Sequence, residues 1–189
     1  MKTSALLSGR WARAAVAVAT VAVSALTATG TAAAQSPAHA RVRPNIGWDG
    51  VYDHIVNNNS GLCLALPGAS TAYGAGVIQW PCGSWTDHYW TTDYQFTESG
   101  YYWYHVVNRN SGQCLALPGA STQAGAQLVQ WPCGQWKDHY WAFELDTNGQ
   151  VHIVNYNSRQ CLALPGASTQ PGAPVIQWPC GTWADHYWH

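Results

Sequence analysis

Three Asp-His-Tyr-Trp tetrads, beginning at Asp87, Asp138 and Asp185, carry the residue types best suited to chemistry in this 189-residue chain. Each follows a Gln-Trp-Pro-Cys segment, so that Trp80, Trp131 and Trp178 each stand ten positions before the tetrad's closing tryptophan. A carboxylate accepts hydrogen bonds from vicinal hydroxyls, and an indole face stacks under an apolar ring face. Together they suit a neutral, polyhydroxylated ligand. The candidate binding residues are therefore Trp80, Asp87 and His88, with Trp131, Asp138 and His139, and Trp178, Asp185 and His186. The same pattern argues against an enzyme. Glycoside hydrolysis generally needs two carboxyl groups about 5 to 9.5 Å apart, and no second acid recurs beside the Asp. Read as consecutive strand residues, Asp and His point to opposite faces, which also works against a dyad. No catalytic residue, metal-ligand set or cofactor is expected.

Other recurrent side chains have plainer readings. Trp90, Trp141 and Trp188 are expected in the core, and His54, His105 and His152 at strand edges rather than as ligands. Trp85, Trp136 and Trp183 lie in Gly-containing loops, where they either line a pocket or pack over a disulfide. The Asp-His pairs have a competing structural reading, as turn residues or as a hydrogen bond that stabilises the surrounding lobe.

Elements that repeat must position these groups. The segments His54 to Trp90, His105 to Trp141 and His152 to Trp188 align without a gap, and 26 of their 37 positions are identical in all three. Asn-Xaa-Asn-Ser, Leu-Pro-Gly and Pro-Cys-Gly recur and interrupt any helical period. Short runs of β-formers lie between them, four per repeat. Propellers usually have at least four blades, whereas three four-stranded units that pool their apolar faces make an all-β β-trefoil with pseudo-three-fold symmetry. Repeat limits fall at about 48–96, 97–146 and 147–189.

Each repeat owns two cysteines, 19 positions apart. Pairing within the repeat respects the symmetry and closes the shortest loops, giving Cys63 with Cys82, Cys114 with Cys133, and Cys161 with Cys180. The compartment agrees. Lys2, Arg10 and Arg13 precede an apolar run from Ala14 to Ala28 and then small residues, the order of a secretory signal peptide over 1–40, with cleavage after Ala34 or Ala40. The apolar run is too short to span a bilayer, so no membrane insertion is expected. Residues 41–189 form the expected domain, with five basic against nine acidic residues. A net negative chain without clustered Lys or Arg argues against a nucleic-acid partner.

The recurring Asn-Ser-Gly-Xaa-Cys-Leu, with Arg159 in place of the Gly in the third repeat, Gln-Trp-Pro-Cys and closing Trp resemble the ricin B-chain-type lectin module, from about residue 48 to 189. The resemblance implies a β-trefoil with one shallow sugar pocket per lobe. In that family a pocket combines an Asp on the second strand, a stacking aromatic and nearby Gln on the third, and an Asn-Gln pair before the closing Trp. Here Ala65, Ala116 and Ala163 stand at the Asp position, and Ile78, Val129 and Ile176 at that of the Gln. Alternation along the strand turns Leu64 and Leu66 to the core and Ala65 towards the pocket. Asp87, Asp138 and Asp185 are then the relocated acids. The expected protein is a secreted, extracellular, monomeric lectin that binds a glycan or a plant or microbial polysaccharide through up to three equivalent sites. The alternative is a β-trefoil protein-interaction or protease-inhibitor module.

Overall fold

The structure, a computed structural model, describes residues 40–41 and 50–189, with backbone alone for the first two. The leader read at 1–40 lies outside the described residues except for Ala40. A two-residue strand, β1 (Ala40–Arg41), pairs with a later strand of the second repeat. The first repeat then supplies β2 (Asp53–His54), β3 (Cys63–Ala65), β4 (Ile78–Trp80) and β5 (Tyr89–Glu98). The second supplies β6 (Tyr101–Asn108), β7 (Cys114–Ala116), β8 (Val129–Trp131) and β9 (Trp141–Leu145). The third supplies β10 (Val151–Asn155), β11 (Cys161–Ala163) and β12 (Ile176–Trp178). Its expected fourth strand is reduced to β-bridges at Trp188. Among the described residues, no helix is long and apolar enough to cross a membrane.

Pairing closes the sheet on itself. β2 joins β5, β5 joins β6, Tyr104 of β6 pairs with Trp141 of β9, and β9 joins β10. Val151 pairs with Trp188, Trp188 with Asn57, and Val56 and His189 exchange backbone hydrogen bonds of 2.7 and 2.9 Å. These bridges at Trp188 join the two ends of the path of paired strands, which reduces the exposed sheet edge. The hairpins β3–β4, β7–β8 and β11–β12 cap it. They meet in a cyclic set of hydrogen bonds, in which the Val77 N–H donates to Leu128 O (2.8 Å), Leu128 N–H to Val175 O (2.9 Å) and Val175 N–H to Val77 O (3.0 Å). The fold is a β-trefoil.

Period-2 alternation explains the core. Leu64 and Leu66, with Leu115, Leu117, Leu162 and Leu164, are buried in one apolar cluster with Val77, Leu128 and Val175. Trp90, Trp141 and Trp188 complete it, and each indole N–H donates to the carbonyl of Leu64, Leu115 or Leu162. A buried Trp needs such a partner, and truncating one to Ala costs about 3 to 5 kcal/mol. The disulfides join Cys63 to Cys82, Cys114 to Cys133 and Cys161 to Cys180, the within-repeat pairing. In the chain-entropy account, a loop of this length contributes about 3 kcal/mol per bridge.

Gln79, next to the exposed Trp80, is wholly buried. Its Nε2 donates to Ser168 O and Gln170 O, both at 2.9 Å, and its Oε1 accepts from the Ser60 hydroxyl at 2.7 Å. Gln130 bonds Ser70 O and Ala72 O in the same way, and Gln177 bonds Ser121 O and Gln123 O. The Gln of each Gln-Trp-Pro-Cys segment therefore ties its lobe to a neighbouring one. A buried amide that meets several partners this far apart in sequence specifies the inter-lobe register.

Candidate binding clefts

Each lobe carries a cleft, of about 440, 520 and 620 Å³ in lobes 1, 2 and 3. In lobe 1 the Pro67–Ala69 turn forms one side, Trp80 and Trp85 the aromatic side, and Asp87 with His88 the polar base. The other lobes repeat this with Trp131, Trp136, Asp138 and His139, and with Trp178, Trp183, Asp185 and His186. The structure thus gathers all nine candidate residues, three to a cleft. It adds Trp85, Trp136 and Trp183, whose role the sequence leaves open.

Local chemistry explains why these indoles line the clefts. A Cβ on Gly83 would lie 2.1 Å from Cζ3 of Trp85, because the ring lies flat against the glycine backbone. Gly134 and Gly181 hold Trp136 and Trp183 with the corresponding distance of 2.0 Å. The Gly-Xaa-Trp spacing in every repeat is the sequence signal for this packing. Trp85 remains 60% exposed and Trp80 42% exposed, so each cleft presents two solvent-accessible indoles. Trp80 is also backed by another lobe: a Cβ on Gly172 would meet its Cζ3 at 3.6 Å, and Gly74 and Gly125 back Trp131 and Trp178 in the same way.

Asp87 and His88 do not alternate along a strand. They lie in a 3-10 turn, Thr86–His88, closed by the His88 N–H donating to Trp85 O at 3.1 Å. The turn exists because the Asn108 side chain, from the next repeat, donates to Asp87 O at 2.8 Å. Asn155 and Asn57 hold Asp138 and Asp185 likewise. Both side chains consequently reach one buried spot, with His88 Nε2 3.6 Å from Asp87 Oδ2; the other lobes give 3.6 and 3.7 Å. The expectation that the pair diverges is therefore corrected. Ala65 is corrected too: the turn packs against β3, and Ala65 is wholly buried rather than facing the cleft.

Asp87 Oδ2 also accepts the Leu66 N–H at 3.3 Å, a contact repeated by Asp138 with Leu117 and by Asp185 with Leu164. Among the described residues, Oδ1 of each Asp receives no hydrogen bond. Burial pushes the imidazoles of His88, His139 and His186 below their ordinary value of 6.5, against the opposing pull of the adjacent carboxylate. In lobe 3 the Gly181 N–H donates to His186 Nδ1 at 3.2 Å, which puts the ring proton on Nε2, facing Asp185. In that lobe the neutral His186 turns its Nε2–H towards Asp185 Oδ2, 3.7 Å away. His54, His105 and His152 stand outside this pair: each Nε2–H donates to the carbonyl of Gly83, Gly134 or Gly181 at 3.0 to 3.1 Å, steadying the Gly-Xaa-Trp loop. His54 lies within 4.8 Å of Cys63 and Cys82, but their sulfurs are consumed in the disulfide and offer no thiolate to a metal.

The lobe 1 cleft holds one carboxylate and no hydroxyl or thiol side chain. Comparison with known proteins agrees with the fold. Residues 41–103 and 90–178 match the family model described as ricin-type beta-trefoil lectin domain-like. The chain belongs to this family. Among solved structures, this ricin-type trefoil is similar to ThreeFoil, a designed 3-fold symmetric protein, at 30% identity and TM-score 0.67, covering 74% of this chain and 96% of that one. It is similar to a ricin B-like lectin from Macrolepiota procera, solved in complex with lactose, at 22% identity and TM-score 0.62, over 74% and 94% of the two chains. An exo-β-1,3-galactanase from Clostridium thermocellum matches at 22% identity and TM-score 0.68, over 74% of this chain but 30% of its own. No curated protein sequence matches.

Proposed function

We propose that this protein is a secreted carbohydrate-binding lectin in which each lobe's cleft takes one sugar ring. The carrying observation is the convergence, three times over, of exposed indoles with a carboxylate that keeps one oxygen unbonded. The indoles stack on the apolar face of the ring, and Asp87, Asp138 or Asp185 accepts hydrogen bonds from its hydroxyls. The acid reaches this place from the 3-10 turn instead of from the second strand, where the family's Asp is replaced by a buried Ala. His88, His139 and His186 act through the Asp, fixing its carboxylate. The leader and three disulfides support an oxidising, extracellular setting.

A single shallow site of this kind corresponds to a millimolar dissociation constant, about 4 kcal/mol. Three such sites on one rigid trefoil strengthen attachment to a polymer by ~10²-fold or more where the polymer spans two lobes. A glycan array on the mature, oxidised protein identifies the sugar. Depletion assays on the matching polysaccharide then compare Trp80→Ala, the three double variants, and the Trp80→Ala, Trp131→Ala, Trp178→Ala triple variant. Retention should fall stepwise and vanish in the triple variant. Full retention by that variant, or an inert array, overturns the reading. A protein partner held in excess sugar would favour the interaction-module alternative.

A further inference from the structure

The three clefts are flanked by different residues of a neighbouring loop. The loop that precedes β4, β8 or β12 reaches a neighbouring cleft, where its glycine, Gly74, Gly125 or Gly172, abuts Trp131, Trp178 or Trp80. The residue before that glycine is Tyr73 in the first repeat, Ala124 in the second and Pro171 in the third. Gly74 lines the lobe 2 cleft, and its N–H donates to Gln130 O at 2.9 Å, fastening the loop to β8. Tyr73 is thereby carried to Trp131, with ring centroids 6.0 Å apart and planes inclined by 52°. It is 69% exposed, more than the 43% of Trp131 itself. Among the described residues, nothing accepts a hydrogen bond from its hydroxyl.

An exposed aromatic on a short loop has no core to fill, so burial does not account for it. Two inclined, accessible rings from different repeats form a bent aromatic surface that continues outward from the lobe 2 cleft. We infer that Tyr73 is a second aromatic subsite, which makes lobe 2 the cleft that reads at least two linked sugar units while lobes 1 and 3 read one. The inference rests on the carbohydrate reading of the clefts. In it, a second ring stacks on Tyr73, whose free hydroxyl meets that ring's hydroxyls. Ala124 and Pro171 offer no equivalent face, so the chain-length preference belongs to lobe 2 alone.

Calorimetry on the full-length oxidised protein separates the lobes. Lobe 2 alone is left by Trp80→Ala with Trp178→Ala, and lobe 3 alone by Trp80→Ala with Trp131→Ala; the replaced indoles lie at the surface, and circular dichroism confirms folding. The probes are three matched series: galactose with β-1,3-galactobiose, xylose with xylobiose, and glucose with cellobiose. In the series that binds, the gain from monosaccharide to disaccharide should be about tenfold larger in lobe 2 than in lobe 3, the scale of one stacked ring. Tyr73→Ala should erase this excess, Tyr73→Phe should keep most of it, and Ala124→Tyr should install it in lobe 3. Equal gains in lobes 2 and 3, or a gain untouched by Tyr73→Ala, would overturn the subsite while leaving the carbohydrate reading intact. Absence of binding in every series, together with an inert glycan array, overturns both.

Discussion

Replacing Asp138 by Asn separates a ligand-binding acid from a structural one. The side chain is almost wholly buried, its Oδ2 accepts the Leu117 N–H at 3.3 Å, and His139 Nε2 lies 3.6 Å away. Asn is close in size, and its carbonyl oxygen can keep the Leu117 contact. What it removes is the charge and the accepting capacity of the second oxygen, which in the proposal takes hydrogen bonds from sugar hydroxyls. Hydrogen bonds to a charged group contribute about 1.5 to 3 kcal/mol, so affinity should fall roughly 10- to 150-fold. Stability should change by less than about 1 kcal/mol, because the backbone N–H retains an acceptor. The measurement is titration calorimetry with the identified sugar in the Trp80→Ala, Trp178→Ala background, together with thermal denaturation of the same protein. If affinity stays within about twofold while the melting temperature drops, the carboxylate is a lobe-stabilising acceptor and the assignment of Asp87, Asp138 and Asp185 to the ligand is wrong.

Two further outcomes test the surrounding scaffold. Burial holds His88, His105, His139 and His186 below 6.5, so the unfolded chain binds protons that the folded chain refuses; stability is complete above pH 6.5 and falls as the pH drops towards the folded values, by up to about 1.4 kcal/mol per pH unit for each imidazole. Urea titrations between pH 8 and 5 should show this decline, and a flat profile would contradict the burial of neutral imidazoles. Gly134→Ala would place a methyl 2.0 Å from Trp136 Cζ3 and force that ring off its seat, so in the lobe-2-only background sugar affinity should fall by about tenfold or more, equivalent to losing one stacked ring. Unchanged affinity in the folded variant would remove Trp136 from the binding surface.

What could be read from the residues was what repeats and what alternates. Leu64 and Leu66 follow period 2, the cysteines keep one spacing, and Trp90, Trp141 and Trp188 each close a repeat, so core, bridges and trefoil all follow from local pattern. The sequence singled out three residues of each cleft but neither its second indole nor its geometry, which is set between repeats. Asp87 meets His88 because Asn108, 21 positions away, holds the Asp87 carbonyl and shapes a turn where a strand is expected. Trp80 faces outward because Gln79 is locked to Ser168 and Gln170, at the far end of the chain. Tyr73 gains its meaning only beside Trp131, a residue of another lobe. No single repeat contains the information for its own cleft: the acid is fixed by the following repeat, and the platform is backed by a glycine from elsewhere in the ring. Three-fold closure is therefore a condition for each cleft as well as for the barrel. The same closure lets one loop residue alter a neighbouring lobe without disturbing its own, and so allows a nearly symmetric trefoil to acquire an asymmetric preference.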